Sequence, residues 1–210
     1  MNMKILPTGL LAAALLLVAC SKEPAKNPDP NHTHADFAVW IEGKQFDFSQ
    51  PQYMSETPKK DASGKVLVDK DGAPVMTEIP GRKYQHLHDG NGHVTHRHKP
   101  GLTFADFFKT IGFTLTDTCF TTDTGESICN SDQKKWQMFV NGKEIPMKAA
   151  YDFTDLDKIL ITYAANNAEI QKELAAMTDQ ACEYSKTCPE HGEPPTENCI
   201  ADPSVPCVAP

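Results

Sequence analysis

Apolar and polar residues alternate along several short stretches of this chain and recur at helical spacing in two others. In "HADFAVWIEGKQFDFS" (34–49), Phe37, Val39 and Ile41 share one face, because successive side chains of an extended segment point to opposite sides. The "EGK" that follows is a reversal into "QFDFS", so two strands around a turn are expected. "WQMFV" (136–140) runs into Asn141-Gly142, a strong hairpin signal, and then "KEI". "KILITYA" is a further strand, with Ile159, Ile161 and Tyr163 alternating against Leu160 and Thr162.

Helical spacing occurs first in "KPGLTFADFFKTIGF", where Phe104, Phe107, Phe108 and Ile111 fall at i, i+3, i+4 and i+7. Thr103 and Asp106 stand in capping-box positions, and Gly112 is a good stop. In "NNAEIQKELAAMTDQACEYSK", Ile170, Leu174, Met177 and Ala181 predict a second amphipathic helix. Residues 50–82 are polar and irregular, with a small hairpin expected in "DASGKVLVDKDGAPV". "DKDG" (69–72) has the first ligands of a calcium loop but not the later ones, and reads as a turn.

The first nineteen residues look like a signal peptide: Lys4, then an apolar run from Leu10 to Ala19, too short to span a bilayer as a mature helix. "LVAC" (17–20) resembles a bacterial lipobox. That resemblance implies removal of residues 1–19, lipid such as palmitate on Cys20, and a membrane anchor; Ser21 after the Cys favours the outer membrane if the cell has one. "SKEPAKNPDPNHTH" is nearly free of apolar residues, so 20–31 reads as a flexible tether. Residues 32–165 are expected to form one domain, and 166–210 a C-terminal helix with a Cys- and Pro-rich tail. A net charge of −8 without a basic stripe argues against nucleic acid as a partner.

Setting Cys20 aside, Cys119, Cys129, Cys182, Cys188, Cys199 and Cys207 are an even set, as expected of disulfides in an exported protein. Cys119 and Cys129 flank a polar stretch with Gly125 near its middle, which suggests a bridge across a hairpin. The last four admit three connectivities. A Cys-rich zinc knot is the rival reading, but the paired C-x-x-C spacing is missing.

The order strand–strand, insertion, helix and strands, with "W-x-x-x-VNG" and "DLDKILITY" from Trp136 to Tyr163, resembles a β-grasp, ubiquitin-like domain. It is similar in particular to extracellular β-grasp modules found beside cobalamin carriers. The combination of "HADFAVWIEGKQFDFS", "HLHDGNGHVTHRH", "FADFF" and "CEYSKTCPEHGEPPTENC" resembles a group of His-rich exported bacterial and archaeal lipoproteins. What this implies is a shared architecture and no reaction. The expected fold class is α+β: a β-grasp-like mixed sheet with one packed helix, a His-rich β-hairpin insertion, and a disulfide-stapled tail.

Five of the eight histidines fall in "HLHDGNGHVTHRH" (86–98). On a strand His86 and His88 share a face, as do His96 and His98, and turn parity decides whether the pairs meet. A three-residue Gly90-Asn91-Gly92 loop, with Gly92 left-handed, sets His86 opposite His96 and gathers four imidazoles on one face. A two-residue Asn91-Gly92 turn instead puts His86, His88 and His93 on one face and His96 and His98 on the other. His32 and His34 form a third H-x-H pair, sharing a face with Asp36.

Three H-x-H pairs point to a transition metal: zinc first, with copper(II) or nickel(II) also accepting an all-His set. The function expected is that of a lipid-anchored metal-binding protein of the cell envelope that sequesters, delivers or senses the ion, with a delivery or envelope protein as partner. Two alternatives stand beside it. One is a metal-dependent hydrolase or hydratase using Asp36 or Asp89 as proton acceptor, although no H-E-x-x-H, G-x-S-x-G or H-x-H-x-D-H run is present. The other is a β-grasp adhesion or interaction module without metal.

Overall fold

Nine residues in a row, Thr33–Ile41, form the strand on which the rest of the fold is arranged, β1. The computed structural model describes residues 25–29, 31–193 and 195. Residues 1–19, expected to be a signal peptide, lie outside the described residues with Cys20, Cys199 and Cys207, as does part of the expected tether 20–31. In chain order follow β2 (Lys44–Gln45), β3 (Glu56–Pro58), β4 (Met76–Glu78), β5 (Gln85–His86) and β6 (Val94–Arg97). Next come α1 (Phe104–Thr110), β7 (Thr114–Leu115), β8 (Cys119–Thr121) and β9 (Ser127–Cys129). The last elements are β10 (Trp136–Val140), β11 (Lys143–Ile145), β12 (Lys158–Tyr163), α2 (Asn167–Ala175) and α3 (Ala181–Tyr184). Among the described residues no helix is long and apolar enough to cross a membrane.

The fold is α+β, built on a seven-stranded mixed sheet in the order β11-β10-β12-β1-β6-β5, with β2 also paired to β1. Among the strand pairs of this sheet, in the described residues, only β1–β12 is parallel. The free edge of β1 is divided between two partners: Trp40 and Ile41 face β2, and Thr33 to Asp36 face β6. That division is why the returning segment pairs for only two residues, Lys44 and Gln45. Beyond them Phe46 makes one more backbone bond, to Val39 O (2.8 Å), and Phe48 is buried in the core.

Strand alternation sorts the side chains of β1 as expected. Phe37 and Val39 enter the main core with Ile159, Ile161 and Tyr163, and Ile41 packs against it; Ala38 and Trp40 lie on the other side with Leu160 and Ile170. Helix α1 covers the first face. Its Thr103–Asp106 capping box is formed, Phe104, Phe107 and Phe108 are buried, and Gly112 follows the last turn at φ +90°.

Residues 56–78 form an exposed arm, with β3 paired to β4 and further bridges Lys60–Val66 and Val68–Pro74. Within it "DKDG" is a turn: Asp69 accepts from its own downstream backbone at Asp71 and Ala73. The disulfide Cys119–Cys129 joins directly opposed residues of β8 and β9, 4.1 Å apart at Cα.

The single helix expected over the C-terminal periodic stretch is two helices. The polypeptide between α2 and α3 turns to meet Asp36, whose carboxylate accepts from the Thr178 hydroxyl and from the backbone N–H groups of Gln180 (2.9 Å) and Ala181 (3.1 Å). Ile170 and Leu174 pack on one patch of the sheet with Met177, and Ala181 on another with Val94 and Tyr184. The periodic residues all reach apolar neighbours, but a buried acid captures the amides at the start of α3 and breaks the helix there.

Candidate metal centre

Three adjacent strands carry the three H-x-H pairs to one place. The register sets His34 opposite His96 across β1 and β6, and His86 opposite His96 across β5 and β6. Directly opposed residues share a face. His32 and His34, His96 and His98, and His86 and His88 therefore all project to the side of the sheet on which α3 packs. Alternate residues Ala35, Phe37 and Leu87 go to the apolar core on the other side.

The parity follows the expectation for a three-residue loop, but the turn itself differs. His88 O accepts from Asn91 N (2.9 Å), and the left-handed residues are Asp89 (φ +57°) and Gly90 (φ +70°), the pattern of a type I′ turn centred on Asp-Gly. Gly92 is not left-handed. It is there for space: a Cβ on it would lie 2.3 Å from Ser49 N and 2.5 Å from the Phe48 carbonyl carbon. The return arm is irregular before it pairs, and His93 O is taken by Phe37 N (2.8 Å). The three residues between the centre of the turn and β6, Asn91 to His93, restore the parity that sets His86 opposite His96.

The six rings form one continuous cluster of ring contacts. His32 lies on His98 (centroids 3.7 Å apart, 29° between planes), His34 meets His96 edge-on at 4.7 Å, and His88 meets His96 at 4.0 Å. His86 stacks on His98 at 4.9 Å and on His96 at 5.7 Å. His34, His86, His96 and His98 are buried, and His32 and His88 are half-buried.

Their protons follow from their partners. His86 Nδ1 is 2.8 Å from the Arg82 carbonyl, which only accepts, so Nδ1 is the donor. His88 Nδ1 is 2.7 Å from the Asp89 carboxylate and donates to it. The Ser185 hydroxyl donates to Asp155 (2.7 Å) and so accepts from His34 Nδ1 (2.7 Å). In the neutral form of each of these rings the lone pair is on Nε2, the arrangement in which outer oxygens orient metal-ligating imidazoles. His34 Nε2 is then 3.0 Å from His32 Nε2, and His88 Nε2 is 3.2 Å from His96 Nδ1. His32, His34 and His96 each offer a ligand nitrogen within 4.8 Å of the others, a group that could hold a metal ion.

The orienting groups were not legible in the sequence pattern. Asp155 lies 121 residues beyond His34, binds its backbone N–H (2.9 Å) and reaches its ring through Ser185. Tyr184 packs edge-on against His96 (4.6 Å) and His88 (5.4 Å), closing the cluster from the α3 side. Arg82, whose carbonyl holds His86, donates to the carbonyls of Gln52 (2.7 Å), Met54 (2.6 Å) and Thr110 (2.9 Å), and burial lowers its pKa. H-x-H spacing carries no signal for any of these; they come from loops and from a four-residue helix.

The acids expected as proton acceptors have other partners. Asp36 is buried and bonded to the segment leading into α3, and Asp89 is exposed and bound to His88. Cys182, Cys188 and His191 also lie together, but the two sulfurs form a disulfide and are not thiolate ligands. No family model, curated protein or solved structure matches this chain.

Proposed function

We propose that this chain is an extracytoplasmic protein, anchored to the membrane through lipid on Cys20, that binds a transition-metal ion in the histidine cluster to sequester, deliver or sense it. The observation that carries this reading is the 3.0 Å separation of His32 Nε2 and His34 Nε2, with His34 Nδ1 fixed by Ser185 and Asp155. Tetrahedral zinc, with bonds of about 2.0–2.1 Å, places its ligand nitrogens about 3.3 Å apart. An all-imidazole set suits zinc first, and copper(II) or nickel(II) after it. The Cys119–Cys129 and Cys182–Cys188 disulfides are compatible with an oxidising compartment outside the cytoplasm.

We also read the fold as β-grasp-like. The path β2-β1-β12-β10-β11, the parallel β1–β12 pair and α1 between β2 and β10 support it; β5 and β6 are then an insertion that carries four of the ligands. Asp36 and Asp89 are both committed to other partners, which favours binding over turnover of substrate at the ion.

Isothermal titration of the metal-free full chain with Zn(II), Cu(II) and Ni(II), with thermal melts alongside, tests the proposal. Saturation at about one hundred times Kd is expected to stabilise the fold by about 2.7 kcal/mol. The His32→Ala/His34→Ala double variant loses much of that gain. Acidification through the ordinary imidazole range, about pH 6.5, releases metal because protons compete for the same lone pairs. Absence of both binding and thermal shift with all three ions overturns the reading.

A further inference from the structure

Six imidazoles are more than one zinc ion can use, since it takes four ligands drawn to within about 3.3 Å of one another. Neighbouring strands lie about 4.8 Å apart, so the backbones of β1 and β5 are about 9–10 Å apart with β6 between them. The rings divide accordingly. From one side His32 and His34 of the β1 segment meet His96 and His98; from the other, His86 and His88 meet the same two rings.

Two nitrogen pairs approach the spacing of ligands on a common ion, one on each side of β6. His32 Nε2 and His34 Nε2 are 3.0 Å apart, and His88 Nε2 and His96 Nδ1 are 3.2 Å apart. His96 belongs to both groups, because it also offers a nitrogen within 4.8 Å of those of His32 and His34. An imidazole has two nitrogens on different edges of one ring, so it can serve two ions at once.

Resting on the metal-binding reading above, we propose that the cluster is a two-ion site for divalent transition metals, with His96 shared between the ions. The β1-side ion takes His32 and His34 with one nitrogen of His96. The β5-side ion takes His88 with His96 Nδ1, and is completed from His86 and His98. When the second ion binds, the one N–H proton of His96 passes to solvent and the ring becomes an imidazolate. Asp89 and the Asp155–Ser185 pair hold the outer rings of the two halves separately, so each half is oriented without the other.

Copper(II) tests this on the full chain, with stoichiometry read by calorimetry and spin by electron paramagnetic resonance. About two ions per chain are expected, and the signal that grows with the first equivalent falls with the second, because the shared ring couples the two spins. His34→Gln and His88→Gln each reduce binding to about one ion, with the spin signal at full intensity. Circular dichroism reports whether either variant is misfolded, in which case the spin titration of the unaltered chain decides. One ion per chain overturns the two-ion site and leaves metal binding standing. Two ions with undiminished signal overturn the sharing of His96. No binding at all overturns this proposal together with the reading it rests on.

Discussion

On one face of β1, Phe37 meets Phe48, Phe104 and Phe107 with ring centroids 5.0–5.9 Å apart; on the other, His34 meets His32, His96 and Tyr184 at 4.3–5.7 Å. Both faces are packed clusters of rings, yet different forces hold them. Burying a phenylalanine side chain contributes about 1.5–3 kcal/mol from water exclusion alone. A buried imidazole has two nitrogens to satisfy, and an unsatisfied one costs about 1–3 kcal/mol. The phenylalanine face therefore holds itself together. The histidine face depends on acceptors brought from elsewhere in the chain and, on the reading above, on an ion.

Truncation on each face separates the two cases. Phe37→Ala is expected to lower unfolding stability by about 3–5 kcal/mol in denaturant melts, equally with and without zinc. His34→Ala is expected to cost about 1–2 kcal/mol in the metal-free chain and more once zinc is present, because only the unaltered chain gains from binding. Equal losses for the two variants without metal would remove the contrast.

Most of the apolar face was legible along the sequence, and only part of the polar one. Phe104, Phe107 and Phe108 announce α1, Thr103 and Asp106 its cap, and Asn141-Gly142 the β10–β11 hairpin, because each signal lies within a few neighbouring residues. The shared face of the H-x-H pairs was legible as a question of parity. The turn that answers it was not, since Asp89-Gly90 makes the reversal while Gly92 is set by its contact with Phe48 and Ser49. Asp155 and Ser185 reach His34 over 121 and 151 residues, and Asp36 breaks the C-terminal helix over 145, distances at which periodicity is silent.

The loop between the two faces gives the next largest effect. Gly92→Ala places a methyl group against the backbone of Phe48 and Ser49, which cannot yield as a flexible side-chain end would. A loss of about 1–3 kcal/mol is expected, with weaker zinc affinity as β6 shifts. Gly90→Ala is the control: it has open space and meets only the strain of its φ of +70°, about 1 kcal/mol. If both variants cost the same and leave zinc affinity unchanged, packing at Gly92 does not position the histidines.

The smallest effect sharpens the contrast with a polar group that lacks what His34 has. Glu173 on α2 is 1% exposed, and its carboxylate oxygens have no hydrogen-bond partner among the described residues. Burial raises its pKa; Thr162 is near enough to hold it down somewhat but outside hydrogen-bond geometry, so desolvation wins. A carboxyl raised on folding contributes its stability below its unfolded value, about 4.3, and loses it as pH rises through the folded value. Glu173→Met keeps the volume and removes the charge. It is expected to stabilise the chain by about 1 kcal/mol at pH 7 and by less near pH 4, read from urea melts at the two values. A gain independent of pH would mean that burial of the charge is not what makes this position costly, and that the Asp155–Ser185 pair is less needed at His34 than the contrast requires.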